Sequence, residues 1–207
     1  DIEFKDIDSS YVEGEKVLKG LNLSVKAGQK VAIVGATGPG KTTIVNLLTR
    51  FYEPDSGTIT VDGVDITTIP KADLRRAIAI VLQDTVLFSD TIEKNIKYGR
   101  EDADDEDMKR AAHTSYADFF IDRLPDGYAT ELAESGSNLS QGQRQLLSIS
   151  RAVLADPRIL ILDEATSSVD TRTEMHIQKA MLALMKNRTS LVIAHRLSTI
   201  RDADVIV

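Results

Sequence analysis

Cysteine is absent from this sequence, which excludes disulfide staples and thiolate metal sites and fits a reducing compartment such as the cytosol. Long apolar runs are absent as well. None approaches the ~20 residues that a membrane-spanning helix requires, so the chain is expected not to cross a bilayer by itself. Positive charge is in deficit, with 25 Lys and Arg against 32 Asp and Glu and a net charge of -7. A broad nucleic-acid-binding surface draws on clustered Lys and Arg, so that class is disfavoured, while a local phosphate site stays open. There is no basic, apolar secretory leader, no internal repeat and no low-complexity linker. The sequence starts at Asp1 and stops inside the apolar stretch Ala203 to Val207, so both ends are expected to be cut from something longer.

What is present is ordinary packed protein, 42% apolar and 28% charged over 207 residues. That length favours one sizeable core with an inserted lobe over two independent folds. Lys30 to Val34 is a β-rich run ending at Gly35, and Ile44, Val45, Leu47, Leu48 and Phe51 then repeat at helical spacing. Thr58 to Val61 followed by Asp62-Gly63 reads as a strand entering a hairpin turn, and Ala77 to Leu82 as a further strand. From about Asp84 to Ala155 helical patterns dominate, and the acidic run Glu101 to Asp107 sits where carboxylates favour a helix N-terminus. Asp156-Pro157 ends the helix that precedes Arg158. Ile159 to Leu162 then reads as a strand buried on both faces. A helix striped by Ile177, Ala180, Met181 and Leu184, the strand Ser190 to Ala194 and the strand-like Val205 to Val207 complete an alternation that predicts a parallel sheet.

Between the first strand and its helix, Gly35-Ala36-Thr37-Gly38-Pro39-Gly40-Lys41-Thr42 has the spacing of a phosphate-binding loop. Glycines let the backbone turn its N–H groups toward phosphates, the following helix adds its positive end, and Lys41 reaches the terminal phosphates. Thr42 offers a hydroxyl to magnesium. Gly35, Thr37, Gly38, Gly40, Lys41, Thr42 and Thr43 are the candidate nucleotide-binding residues here. Pro39 has no N–H, so one possible donor of the cradle is missing.

Two adjacent carboxylates, Asp163 and Glu164, follow the buried run Ile159 to Leu162, at the strand end where open α/β sheets bind ligands. Asp163 suits magnesium, and Glu164 suits a base that polarises water attacking a γ-phosphate. Farther back, Leu139-Ser140-Gln141-Gly142-Gln143 opens a helix, and Ser140 with Gln143 forms a capping-box pattern. A capped helix end beside Gly142 is also a ready anion site.

The phosphate loop, Gln83, Leu139-Ser140-Gln141-Gly142-Gln143, Asp163-Glu164, Ser167-Ser168-Val169-Asp170 and His195 occur in the order and spacing of an ABC transporter nucleotide-binding domain, which the whole chain resembles. The segments from Gln83 to Phe88, Thr91 to Ile96 and Glu134 to Gly136 resemble the exporter branch, multidrug or lipid exporters among them. The resemblance implies an α/β fold: a P-loop NTPase (RecA-like) core with a parallel central sheet, an N-terminal antiparallel β portion and an inserted helical lobe. One ABC ATPase domain would then comprise a core from residues 1–82 and 157–207 and a helical lobe from residues 83–156.

The resemblance also implies ATP and Mg2+ as ligands and a transport-coupled ATP hydrolase. By matching position, Tyr11 would stack on adenine, and Gln83 would link magnesium to the transporter contact. His195 would hold the γ-phosphate, and Ser140, Gly142 and Gln143 would reach the nucleotide of a second such domain closing head to tail. Catalysis would then fall to Glu164, His195, Gln83 and Lys41, with Thr42, Gln83 and Asp163 around the metal. Ser167 to Asp170 would line that dimer interface. The implied partners are a second nucleotide-binding domain and the transmembrane domains, not nucleic acid, with the chain held at the cytoplasmic face of a membrane. Phe51, Tyr52 and Phe88 are candidate contacts to the membrane part, and core packing explains them equally well. His113 and His176 match no motif. A soluble ABC ATPase, a non-hydrolysing nucleotide switch and a nucleoside-monophosphate kinase are the competing readings.

Overall fold

The computed structural model describes residues 1–34, 39–82, 86–164 and 169–207. In chain order these form β1 (Ile2–Val12), β2 (Glu15–Val25), β3 (Lys30–Ile33), α1 (Pro39–Leu48), β4 (Ser56–Val61), β5 (Val64–Asp65), α2 (Lys71–Ala77) and β6 (Ile78–Val81). There follow α3 (Ile92–Lys97), α4 (Asp105–Thr114), α5 (Asp118–Ile121), α6 (Gln141–Ala155), β7 (Ile159–Asp163), α7 (Thr171–Met185), β8 (Thr189–Ile193), α8 (Leu197–Arg201) and β9 (Val205–Ile206). They fall into two compact units. One comprises Asp1–Ala79, Arg158–Glu164 and Asn187–Val207, the other Ile80–Pro157 and Ala165–Lys186.

The first unit carries an antiparallel sheet in the order β2-β1-β4-β5. Along β1 the side chains of Ile2, Phe4, Ile7 and Ser9 are buried, and the alternation skips a residue where Asp6 takes a φ of 50° and the register with β2 shifts. This bulge returns Ile7 to the inner face, where strict alternation would have placed Asp6. The turn at Asp62-Gly63 has both residues at positive φ, 49° and 78°, as a tight hairpin between β4 and β5 demands.

The second sheet runs β6-β7-β8-β3-β9. Strands β7, β8, β3 and β9 pair in parallel, and the apolar runs Ile159 to Leu162, Leu191 to Ile193 and Val31 to Ile33 are buried throughout. Each such Ile, Leu or Val contributes roughly 1.5–3 kcal/mol of burial, so the sheet is a rigid frame for whatever its strand ends carry. Most strand boundaries shift by one or two residues from the sequence reading, and two shifts have a physical reason. Ala77 closes the helix α2 rather than opening β6, because Asp73 in the first turn and Arg75 and Arg76 in the last suit a helix dipole. Helix α1 starts at Pro39, whose missing N–H costs nothing at the first helical position.

The second unit is helical. Asp104 caps α4 by accepting from the N–H of Asp107, and Asp105, Glu106 and Asp107 occupy its first turn, which accounts for the acidic run. Helix α6 ends at Asp156 with a left-handed φ of 49° ahead of Pro157. Buried Asn95 accepts from the N–H of Phe88 at 2.8 Å and donates to the carbonyl oxygens of Phe88 and Thr91, each at 3.0 Å, pinning the segment before α3.

Candidate functional site

Three parallel strands of the first unit end at one level. Asp163 pairs with Ile193 across β7 and β8, and Ile193 pairs with Ile33 across β8 and β3. The ladder runs one residue further, with Glu164 N–H donating to the Ile193 carbonyl at 3.1 Å and Ala194 N–H to the Ile33 carbonyl at 3.0 Å. Adjacent strands lie about 4.8 Å apart, so the exit of β3 toward the phosphate loop and the carboxylates on β7 stand about 10 Å from each other. The end of β8, with His195, lies between them.

Within this group the side chains touch. His195 Nε2 stands 3.4 Å from Asp163 Oδ1 without making a hydrogen bond, and that oxygen is buried with no hydrogen-bond partner. An orphaned buried carboxylate oxygen is costly unless something pairs with it, and a hard cation such as magnesium is a natural partner for oxygen donors. Glu164 is held differently. Its Oε2 accepts from the backbone N–H groups of His195 at 2.8 Å and Arg196 at 3.0 Å, and its Oε1 accepts from the Thr199 hydroxyl.

Helix α1 brings Lys41, Thr42 and Thr43 into the same unit. Its first turn contains no acidic residue to oppose an anion. Among the described residues, a Cβ placed on Gly40 would meet nothing closer than Leu18 Cδ2, at 3.8 Å. Nothing among them crowds this position, which leaves the backbone there open to close approach. Thr43 is buried and donates its hydroxyl hydrogen to the Tyr11 oxygen at 2.8 Å. Tyr11, 45% exposed, also meets Tyr52 edge to face at a ring distance of 5.3 Å, so an exposed aromatic face stands beside the start of α1. The observed donors therefore suit a nucleotide with its metal. Gly35, Thr37, Gly38, Gln83 and Ser167 lie outside the described residues.

In the second unit Ser140 caps α6 as its sequence pattern predicts. Its Oγ accepts from Gln143 N–H at 3.2 Å, and Gln143 Oε1 accepts from Ser140 N–H at 3.0 Å. The Ser140 hydroxyl hydrogen remains for donation. Gly142 has a packing role that sequence reading missed: a Cβ there would lie 2.4 Å from Thr173 Cγ2 and 3.0 Å from Val169 Cγ1. Only glycine lets α6 approach α7 this closely. Asp170 caps α7, and hydrogen bonds from the Thr173 hydroxyl and N–H hold its carboxyl below the usual carboxylate range. His113 pairs with Asp118 at 2.7 Å, and His176 stacks on Tyr116 and Phe119, each with rings 5.4 Å apart. Both histidines belong to the second unit.

Sequence reasoning also passed over Thr199 and Arg151. Thr199 carries no motif signal beyond standing four residues after His195. Arg151 donates to the carbonyl oxygens of Asn95 at 3.0 Å and Val86 at 2.9 Å and lies over the rings of Phe88 and Tyr98. Those two rings, 41% and 56% exposed, border a groove of about 510 Å³ lined also by Asp90, Lys94 and Asn95.

Residues 18–167 match the family model described as ABC transporter. Over the whole chain the sequence is 57% identical to an uncharacterised ABC transporter ATP-binding protein of Bacillus subtilis, 34% of whose length is covered. It is 53% identical to an ATP-dependent lipid A-core flippase of Desulfotalea psychrophila, with 36% of that protein covered. It is 52% identical to a fatty acid ABC transporter ATP-binding/permease protein of Mycobacterium bovis, with 33% covered. The chain thus spans about a third of the length of the curated relatives it matches. Among solved structures, a bacterial Atm1-family ABC exporter with ATP bound superposes with a TM-score of 0.91 at 47% identity, over 99% of this chain and 36% of that one.

Proposed function

The chain belongs to the ABC transporter family, and we propose that it is the ATP-hydrolysing motor domain of an exporter. The observation that carries this reading is the strand-end group of Asp163, Glu164 and His195, in register with the strand that leads to the phosphate loop. Lys41 and the first-turn N–H groups of α1 bind the phosphates, and Tyr11 stacks on the adenine. Thr42 and Asp163, with Gln83, hold magnesium, which when bound neutralises charge on the phosphate oxygens. Glu164 takes a proton from the water whose oxygen forms the new bond to the γ-phosphorus as the bond to the β-phosphate oxygen breaks. His195 keeps the γ-phosphate in place.

Closure head to tail with a second such domain sets Ser140, Gly142 and Gln143 against the nucleotide of the other domain, so two Mg-ATP are buried per pair. Val169 and Asp170 sit at that interface. The groove beside Phe88 and Tyr98 receives the transmembrane part, which places the chain at the cytoplasmic face of a membrane; no nucleic acid takes part. Permease segments in the names of the fatty acid transporter relatives support this partner. Phe51 and Tyr52, 59% and 52% exposed, lie in the first unit, where Arg75 covers Phe51 and Tyr52 meets Tyr11.

The test is magnesium-dependent ATP hydrolysis by the purified chain as a function of its concentration. Specific activity rising with concentration and lost in Glu164→Gln, with ATP still bound, is the expected result. A rate independent of concentration refutes the shared site, and unchanged hydrolysis in Glu164→Gln removes Glu164 from the role of base.

A further inference from the structure

The carboxylate of Glu164 is crowded by donors from a single short segment. An ionised carboxylate offers about four acceptor positions. Oε2 uses both of its own on the N–H groups of His195 and Arg196, and Oε1 gives one to the Thr199 hydroxyl. Arg196 Nε, at 4.0 Å from Oε1, is too far for a hydrogen bond. Among the described residues one acceptor position is left, and it is on Oε1. The side chain is only 13% exposed, so its rotamer is fixed by these contacts and not by water.

We propose that Thr199 is a positioning residue, whose hydroxyl fixes Oε1 so that its one remaining acceptor position takes the proton of the attacking water. This rests on the reading of Glu164 as the base. The two backbone donors anchor Oε2 whatever side chains follow, but they leave the carboxylate free to rotate about that anchor. The Thr199 hydroxyl removes this freedom. Threonine suits the task because branching at Cβ restricts χ1, so the position of its hydroxyl oxygen is set by α8 while the O–H turns to its acceptor. A base misdirected by about 1 Å loses on the order of a hundredfold in rate.

Thr199→Val preserves shape and deletes the donor, and Thr199→Ser keeps the donor. Expected for Thr199→Val is a kcat lowered roughly tenfold to hundredfold with KM within about twofold. Affinity for a fluorescent ATP analogue should be unchanged, because the backbone anchor of Oε2 stays in place. Thr199→Ser should restore most of kcat. Wild-type kcat in Thr199→Val, while Glu164→Gln is inactive, overturns the role of Thr199 and leaves Glu164 as base. Activity retained in Glu164→Gln removes the premise itself. Equal losses in Val and Ser variants, accompanied by a lowered thermal midpoint, would show a merely structural residue and overturn the proposal.

Discussion

Gly142→Ala separates two explanations for the glycine at the start of α6. The added Cβ would sit 2.4 Å from Thr173 Cγ2, where ordinary contact is 3.4–4 Å, so at least ~1 Å must be recovered by moving one helix. Overpacking by one methyl group costs about 1–3 kcal/mol, and the better helix propensity of alanine offsets at most about 1 kcal/mol. The net expectation is a loss of about 1–2 kcal/mol in urea denaturation. Thr173→Ser deletes the offending methyl and keeps the hydroxyl that bonds to Asp170, so in its presence the penalty of Gly142→Ala should shrink by roughly 0.5–2 kcal/mol. ATP hydrolysis should recover with stability in the double variant, because the added Cβ points at Thr173 and the substitution keeps the N–H of residue 142. A penalty that does not depend on Thr173, or no penalty at all, refutes the packing argument.

Two further outcomes follow from the second unit. Arg151→Lys replaces a guanidinium that reaches Asn95 and Val86 together by a single ammonium, and should cost about 1–3 kcal/mol by urea denaturation; a change under ~0.5 kcal/mol refutes the strut. For Asp170 the folded state favours the charged carboxylate, so its contribution is complete above the usual carboxylate pKa of about 4 and is lost as pH falls through its depressed folded value. Asp170→Asn, which retains an acceptor for the cap, should therefore lose less stability than wild type between about pH 5 and 3 in acid titrations followed by circular dichroism. An identical acid limb in both proteins refutes that assignment.

The periodicity and turn chemistry of this sequence determine most of the frame. Ile159 to Leu162 reads as a doubly buried strand, Asp62-Gly63 as a tight turn, and Ser140 with Gln143 encodes its own cap, because each signal lies within a few residues of its effect. The residues we propose for the site stand out in the sequence for the same reason: phosphate and metal chemistry demands particular residue types at short, fixed spacing. What needed tertiary structure are contacts between distant segments. The bulge at Asp6 depends on β2, and Gly142 depends on a methyl group of α7. The grip of Thr199 on Glu164 exists only because β8 runs beside β7, and the orphaned Asp163 oxygen becomes visible only once its surroundings are in place. Local sequence fixes what a residue can offer, and packing across the sheet decides which offers are already taken.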